Sequence, residues 1–295
     1  MGSLINGQAI AQKINTVTKR KAEELSERGI IPRLAVVLVG EDKASQVYVG
    51  RKEKMARELG IDFALHQFPA RISKENLLGE LEHIQADPSL SGLIIQLPLP
   101  EKLYVREVLD AIKPELDVDF LTDSKLGTLV TKSNQLDPPT AGAVMEIFRE
   151  LKIDLVGKNV VVIGAGVLVG RPLAFLLMNA RATVTVCNSA TQNLAELCKE
   201  ADSVVSCVGQ RNLVEGSMVK PGAVVIDAGF VFENGIVSGD VNVNEVLAVA
   251  DFVTPTPGGL GPITVAKLLQ NVVISAERRV MPNSFRHLDP ETSSG

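Results

Sequence analysis

Short runs of continuous apolar, mostly β-branched residues alternate with helical patterns from end to end of this chain. LAVVLVG, FALHQF and GLIIQLP come first, then VVVIG, ATVTV, SVVSCVG and AVVIDAG. A strand exposed on one face alternates apolar with polar residues, whereas a strand covered on both faces is apolar throughout. These runs therefore predict parallel sheets sandwiched by helices, an α/β fold class. At 295 residues, and about 150 residues per domain, two such domains fit. Between Pro114 and Thr140 the periodicity lapses into DVDFLTDSKLGTLVTKSNQLDPPT, and the domain boundary is expected inside or just after this stretch of turn formers. The last segment begins as a helix, AERRV, and ends in polar and turn residues, so residues 281–295 are expected to form a flexible tail.

Composition excludes several classes of function. The chain has 30 basic and 35 acidic side chains, a net charge of −5, and no Lys/Arg run that could track a phosphate backbone, so no nucleic-acid partner is expected. The longest uncharged apolar stretch, Asn159 to Gly170, contains glycines and falls well short of the roughly 20 residues that cross a bilayer, so no membrane partner is expected. MGSLINGQAIAQK lacks the basic segment and apolar core of a signal peptide, which makes the cytoplasm the expected location. Cys187, Cys198 and Cys207 match no metal-ligand spacing and are read as buried free thiols; no metal is expected.

The segment VVVIGAGVLVG, residues 160 to 170, follows a predicted strand and opens a helix, the context a dinucleotide-binding glycine loop requires. Gly164 permits the tight turn, Gly166 lets the backbone approach a pyrophosphate, and Gly170 lets helix and strand pack closely. The spacing is G-x-G-x-x-x-G, one residue longer than the standard form, and glycines after a strand also serve ordinary turns. Three further strand ends, CNSAT, SCVGQ and DAGF, carry small or polar residues where open α/β sheets bind ligands. They contribute Asn188, Ser189, Gly209, Gly229 and Phe230 to the candidate cofactor site. An acid at the end of the second strand would take a ribose hydroxyl and a cation a 2′-phosphate; this chain has neither, only Asn188, Ser189 and Ala190.

SQVYVGRKEKMARELG reads as a helix with Ser45 as candidate N-cap and Gly60 as its stop. Tyr48, Lys52, Met55 and Leu59 then form one stripe, while Arg51, Lys54 and Arg57 occupy the outer side. Most helical lysines are solvated or snorkel along their stems. An inward Lys52 is redundant for solubility, however, and a partly buried lysine can move protons. Gln96 ends the strand GLIIQLP just before two prolines, Asp117 and Asp119 share one side of the extended DVDF, and TPTPGGLGPIT could either be a rigid turn or grip a polar ligand with its backbone N–H groups.

Taken together, Tyr48 and Lys52 in Y-x-x-x-K, Gln96 in Q-L-P-L-P, Asp117 to Asp119 in D-V-D, the glycine loop, and Pro257 to Thr264 in P-G-G-x-G-P-x-T stand in the order and spacing of one family. From about Leu4 to Arg279 the chain resembles the bifunctional methylenetetrahydrofolate dehydrogenase / methenyltetrahydrofolate cyclohydrolase family of one-carbon metabolism. The resemblance implies two α/β domains with a cleft between them, the second a Rossmann-like doubly wound parallel sheet. It implies a folate-binding catalytic domain over 1–120, onto which a helix at about 265–280 folds back, and a dinucleotide-binding domain over 121–264. Tetrahydrofolate derivatives would be the substrates, NADP or NAD the cofactor, and a homodimer the assembly, serving purine biosynthesis among other routes. Tyr48 would stack on the folate, Asp119 would bond the pterin, Lys52 and Gln96 would serve the hydrolytic step, and Leu97, Pro257, Gly258 and Gly259 would line the substrate site. Gly164, Ala165, Gly166 and Gly170 would hold the dinucleotide.

The departures from the family pattern carry their own expectations. Its cofactor loop reads G-R-S-x-x-V-G, but Ala165 and Gly166 stand at the Arg and Ser positions, and CNSAT puts Ala190 where another cation is usual. A charge-assisted phosphate bond is worth about 1.5–3 kcal/mol, so NAD is expected to serve at least as well as NADP. Phe120 replaces the glycine of D-V-D-G and is expected to bend that loop differently, because a bulky residue tolerates φ > 0 poorly. DPPTAG stands where P-x-T-P-x-G is usual. The alternatives left open by the residues are a cyclohydrolase that has lost its dehydrogenase, a dehydrogenase for another small substrate, and a non-catalytic nucleotide-binding protein.

Overall fold

The computed structural model describes residues 2–233 and 236–280. In chain order the first half contains β1 (Ser3–Leu4), α1 (Gly7–Glu27), β2 (Arg33–Val39), α2 (Lys43–Glu58), β3 (Asp62–Phe68), α3 (Lys74–Ile84), β4 (Gly92–Ile95) and α4 (Arg106–Leu109). Then follow α5 (Asp123–Val130), α6 (Pro139–Glu150), β5 (Asn159–Ile163), α7 (Gly170–Asn179), β6 (Thr183–Cys187), α8 (Leu194–Glu200) and β7 (Ser203–Ser206). The remainder is β8 (Val224–Asp227), β9 (Val231–Glu233), β10 (Ile236–Ser238), α9 (Val243–Val246), β11 (Phe252–Val253) and α10 (Leu260–Val280). The chain divides into two compact units: Gly2–Asn15 with Asp119–Leu268, and Thr16–Val118 with Leu269–Val280; the tail expected over 281–295 lies outside the described residues.

The second of these units holds a three-stranded parallel sheet in the order β3-β2-β4. Its two apolar runs, in β2 and β4, are buried almost throughout, whereas β3 at the edge is mostly half-buried, with Phe63 buried and Leu65 and Gln67 exposed. α2 starts earlier than the sequence suggested. Asp42 is its N-cap and accepts the Ser45 backbone N–H at 2.7 Å; Ser45 lies inside the helix and is buried. A carboxylate at this place takes one of the orphan N–H groups and also meets the positive end of the helix dipole. The helix stops at Leu59, and Gly60 follows at φ +76 in the left-handed region. The distal turns of α10 hold the segment after β4: Asn271 Nδ2 donates to the Val118 carbonyl at 3.0 Å and Ser275 Oγ to the Glu115 carbonyl at 3.2 Å.

The other unit is built on a six-stranded sheet, β1-β11-β8-β7-β5-β6, in which every pairing is parallel. β5, β7 and β8 have apolar middles and are buried apart from Asn159, with polar residues only at their ends (Asn159, Ser203, Ser206 and Asp227), while β6 forms one edge and is half exposed. The boundary drawn from sequence put residues 1–120 together, but the first fifteen residues group with the six-stranded unit. The cause is β1, whose Ser3 and Leu4 pair with Phe252 and Val253 of β11; a two-residue strand has no periodicity to read.

Phe120 overturns the expectation attached to it. Its φ is +59, so the bulky side chain has not driven the backbone out of the left-handed region. A non-glycine residue there costs on the order of 1–2 kcal/mol. Phe120 is only 2% exposed, and burying such a ring returns about 1.5–3 kcal/mol, with the Lys125 ammonium 5.4 Å from the ring centroid adding a cation–π contact. In the neighbouring departure, DPPTAG, Pro139 takes the first turn of α6, where its missing N–H costs nothing.

Two thiols of this unit are set by their surroundings. Burial, with Cys187 alongside, pushes the Cys198 thiol from 9.0 up to about 12, and burial with the Asp240 charge does the same to Cys207, also to about 12. Both folded values are raised, so the stabilisation is complete below the unfolded thiol's ordinary value and is lost as pH rises through about 12. The thermal midpoint should therefore fall between pH 9.0 and about 12, and Cys198→Ala should show a shallower fall than the parent over the same range in calorimetry. Parallel slopes would mean that the thiol is solvated in the fold.

Candidate functional site

In the three-stranded unit the chemistry gathers at the carboxyl end of the sheet. β4 ends at Ile95, and the next residue, Gln96, still donates its backbone N–H to the Val37 carbonyl at 2.8 Å, so the strand's register carries the side chain to the sheet's rim. α2 leaves the end of β2 and supplies Tyr48 and Lys52 from one face, both half-buried, while Arg51, Lys54 and Arg57 are exposed as expected. The Lys52 Nζ donates to Gln96 Oε1 at 3.0 Å. Gln96 Nε2 donates in turn to the Leu97 carbonyl at 2.7 Å. An amide has one donor end and one acceptor end, so these two bonds leave Gln96 a single orientation, with its oxygen toward the ammonium. Burial raises the Tyr48 hydroxyl pKa, against the lowering influence of Arg51, so the ring presents a neutral aromatic face. The Leu97–Pro98 peptide is cis.

The six-stranded unit carries the remaining predicted residues. Asp119 opens the segment leading to α5 and is partly exposed. Pro257, Gly258 and Gly259 form a turn after the cis Thr256–Pro257 peptide. The expectation that this turn offers its N–H groups to a ligand fails at Gly259, whose N–H is spent on the Pro255 carbonyl at 2.8 Å; the Gly258 carbonyl accepts from Gly7 at 3.2 Å. The turn packs on the start of α1, where a Cβ on Gly7 would lie 1.6 Å from the Gly259 carbonyl oxygen.

At the end of β5 the glycine loop behaves as its spacing suggested. Gly164 has φ +107, and a Cβ on it would come within 2.8 Å of the Cys207 carbonyl oxygen; a Cβ on Gly170 would lie 1.8 Å from the Gly164 carbonyl oxygen. Both glycines are required by close backbone approach. Gly166 is different: a Cβ there would meet nothing within 4 Å, so this glycine keeps open the space outside the loop. Arg171 is exposed, and its Nε donates to the Ala165 carbonyl of the loop at 2.9 Å. The arrangement fits a dinucleotide, with small residues opposite the open side and the start of α7 behind it. In the β6 turn the Asn188 Oδ1 accepts the Ala190 N–H at 2.9 Å and Thr191 Oγ1 accepts the Asn188 N–H at 2.9 Å, so these side chains shape their own turn; Ser189 is exposed.

Sequence reasoning missed the acids behind these loops. Asp227 ends β8 and Asp240 follows β10; both are buried, at 2% and 0% exposure. Gly229 gives its N–H to Asp227 at 3.0 Å, while Phe230 is 42% exposed. Burial raises the Asp227 pKa, opposed by backbone N–H bonds from Asp240, Val241 and Gly229. A terminal Asp in VVIDAG and another in SGDV, each in an apolar setting, were the available signal.

A doubly wound parallel sheet with such a glycine loop, together with a smaller parallel sheet that carries a lysine–amide pair, defines a dinucleotide-binding α/β enzyme. Residues 5–119 match the family described as "Tetrahydrofolate dehydrogenase/cyclohydrolase, catalytic domain", and residues 138–280 match its "NAD(P)-binding domain". The chain belongs to the tetrahydrofolate dehydrogenase/cyclohydrolase family. It is 44% identical over 276 residues to the "Bifunctional protein FolD" of Cupriavidus necator, covering 93% of this chain and 98% of that one. The crystal structure of the bifunctional enzyme FolD from Campylobacter jejuni superposes with a TM-score of 0.92 at 38% identity, over 95% of this chain and all (100%) of that one. The FolD structure from Trypanosoma brucei, complexed with NADP cofactor and inhibitor, gives a TM-score of 0.91 at 36% identity over 95% and 99% of the two chains.

The two classes of glycine separate in a pair of variants. Gly170→Ala forces the loop to move and should lower the thermal midpoint as well as weaken dinucleotide binding at least tenfold. Gly166→Ala should leave the midpoint unchanged and weaken binding alone, by titration calorimetry, because its added methyl meets only ligand. Full affinity in Gly166→Ala would remove this loop from the binding site.

Proposed function

We propose that this protein oxidises 5,10-methylenetetrahydrofolate to the 5,10-methenyl form with NAD(P) and hydrolyses the latter to 10-formyltetrahydrofolate. The observation that carries the reading is the bond from Lys52 Nζ to Gln96 Oε1 at 3.0 Å, made at the carboxyl rim of a sheet in a chain of this family. In the first reaction the one-carbon bridge loses a hydride, leaving a cation shared over the two nitrogens. No proton is removed and no strong base is called for, which suits a site that holds a lysine and an amide. The nicotinamide, when bound at the glycine loop, supplies the hydride acceptor.

In the second reaction water adds to the cationic carbon and releases one proton to solvent, giving a neutral carbinol; the hydroxyl then loses its remaining proton while N5 gains one and the bond from the carbon to N5 breaks, leaving the formyl group on N10 and N–H on N5. A lysine amine can take and return the proton. Gln96, fixed by the Leu97 carbonyl, holds the amine in place without a second formal charge, so the cationic substrate is not trapped by a carboxylate in the pair. Tyr48, on the same helical face, offers a half-buried aromatic surface for a flat pterin or benzoyl ring.

The cofactor half of the reading favours NAD at least as much as NADP. Ala165, Gly166, Asn188, Ser189 and Ala190 bring no cation to the places where a 2′-phosphate would be met, and the Arg171 guanidinium is anchored to the loop's own carbonyl. The same reading makes the protein a cytoplasmic homodimer in one-carbon metabolism. In keeping with it, no helix among the described residues is long and apolar enough to cross a membrane.

Two assays test this. With methylenetetrahydrofolate and either nucleotide, methenyl and reduced-nucleotide absorbance should rise together, and NAD should give kcat/KM no lower than NADP; a large NADP preference would sink the cofactor assignment. Starting from methenyltetrahydrofolate, Lys52→Met should slow hydrolysis at least 100-fold, on the scale of acid–base assistance, to the spontaneous rate. Hydrolysis at the parent's speed in that variant would take Lys52 out of the mechanism.

A further inference from the structure

The turn that follows β7 is an anion-binding nest already filled by the protein. The backbone N–H of Val208 donates to Asp240 Oδ2 at 2.8 Å, and those of Gly209 and Gln210 donate to Oδ1 at 2.9 and 2.7 Å. Ser206 Oγ donates to Oδ2 at 2.7 Å. Gly209 has φ +81, the left-handed step by which consecutive N–H groups converge on one anion. Asp240 is 0% exposed. It is held there by a reciprocal packing: a Cβ on Gly229 would lie 2.1 Å from the Asp240 carboxyl carbon, and a Cβ on Gly239 would lie 1.9 Å from an Asp227 carboxylate oxygen. Asp227 in turn accepts the N–H groups of Asp240 and Val241, at 3.0 and 3.2 Å.

A trans peptide points its carbonyl opposite to its N–H. With the N–H groups of residues 208, 209 and 210 turned onto Asp240, the carbonyls of Cys207, Val208 and Gly209 point away from it. Among the described residues no hydrogen bond is made to the Val208 or Gly209 carbonyl, and both residues are exposed. We propose that Asp240 is a positioning residue that converts the 207–210 turn from a phosphate cradle into an acceptor edge for the hydroxyl and amide donors of a dinucleotide's nicotinamide half. The inference rests on reading this unit as a dinucleotide site.

The half is assigned by strand order. β6 lies on one side of β5 and β7 on the other; in doubly wound sheets the ligand straddles this switch point, with the adenosine on the side of the second strand and the nicotinamide opposite. Phosphates belong at the glycine loop after β5, where α7 begins. The β7 turn has no N–H left for them.

The test is binding, not turnover. Calorimetric titration of the intact protein with ADP, and with NAD⁺ or NADP⁺, whichever binds the parent more tightly, separates the two halves. In Asp240→Asn an amide NH₂ faces inward N–H groups, so the turn should open and the dinucleotide dissociation constant should rise at least tenfold while that of ADP stays within twofold. Ser206→Ala, which removes one donor of four and is the milder change to a buried site, should raise the dinucleotide constant two- to fourfold with ADP again unmoved. Equal losses for both ligands in either variant would make Asp240 a fold-stabilising residue only, and an unchanged dinucleotide constant would show that the turn does not meet the ligand. If Asp240→Asn does not fold, the Ser206→Ala result alone decides. A parent that binds ADP but neither dinucleotide overturns the dinucleotide reading itself, a failure that the variants cannot produce.

Discussion

A parallel sheet covered on both faces has no lateral surface on which to put chemistry. Its strands must be apolar to be buried, and their backbone groups are consumed in the ladders. What remains is the rim, where each strand ends and the chain turns toward a helix. In both units of this protein the residues of interest stand at or just beyond a strand's carboxyl end: Gln96 after β4, Gly164 after β5, Asn188 after β6, Cys207 to Gln210 after β7 and Asp227 as the last residue of β8. The apolar strands thus position the site by register, since a slip of one residue would turn Gln96 away from Lys52 and replace it by a neighbour.

At the rim, two ways of holding a polar group recur. One is an amide or hydroxyl held by neighbouring groups, as in Gln96 with both ends committed between Lys52 and the Leu97 carbonyl, or the Asn188 and Thr191 side-chain oxygens that accept backbone N–H groups in the β6 turn. The other is a buried carboxylate saturated by backbone N–H groups, as at Asp240 and Asp227. Burying an isolated charge is costly, yet several charge-assisted bonds to one carboxylate, each stronger than a neutral one, offset that cost. The exposed ion pairs, such as Arg33 with Asp62 and Asp87, contribute little by comparison because water screens them.

Much of this was readable from sequence, and the unreadable part has a pattern. Apolar runs marked the buried strands, although β3 and β6, read from the same signal, are half exposed at their sheets' edges; helical spacing placed Tyr48 and Lys52 on one face, because both are local periodicities. The bond from Lys52 to Gln96 joins residues far apart in the chain, so spacing alone could only nominate them separately. β1 was invisible because two residues form no pattern, and its pairing with β11 moved the first fifteen residues to the other unit. Ser45 and Asp42 are both good capping residues; what chose Asp42 was where β2 released the chain, a tertiary fact. Phe120 was judged on backbone preference alone, whereas burial of its ring outweighs the strain.

The acids Asp227 and Asp240 show why a strand-end carboxylate is ambiguous until its donors are seen. In a sequence, an Asp just past an apolar run can be a ribose-binding residue, a general base, or a strut. The deciding quantity is where the neighbouring N–H groups point. Here Val208, Gly209 and Gln210 all point inward, so the charge is spent on the protein and the loop's outward character is reversed from donor to acceptor. Three loops on one rim then differ in polarity: a glycine loop and a helix start after β5, a self-capped neutral turn after β6, and carbonyl oxygens after β7. A ligand with a phosphate centre and hydroxyl- and amide-bearing ends matches that sequence of polarities, and it matches in only one direction along the rim.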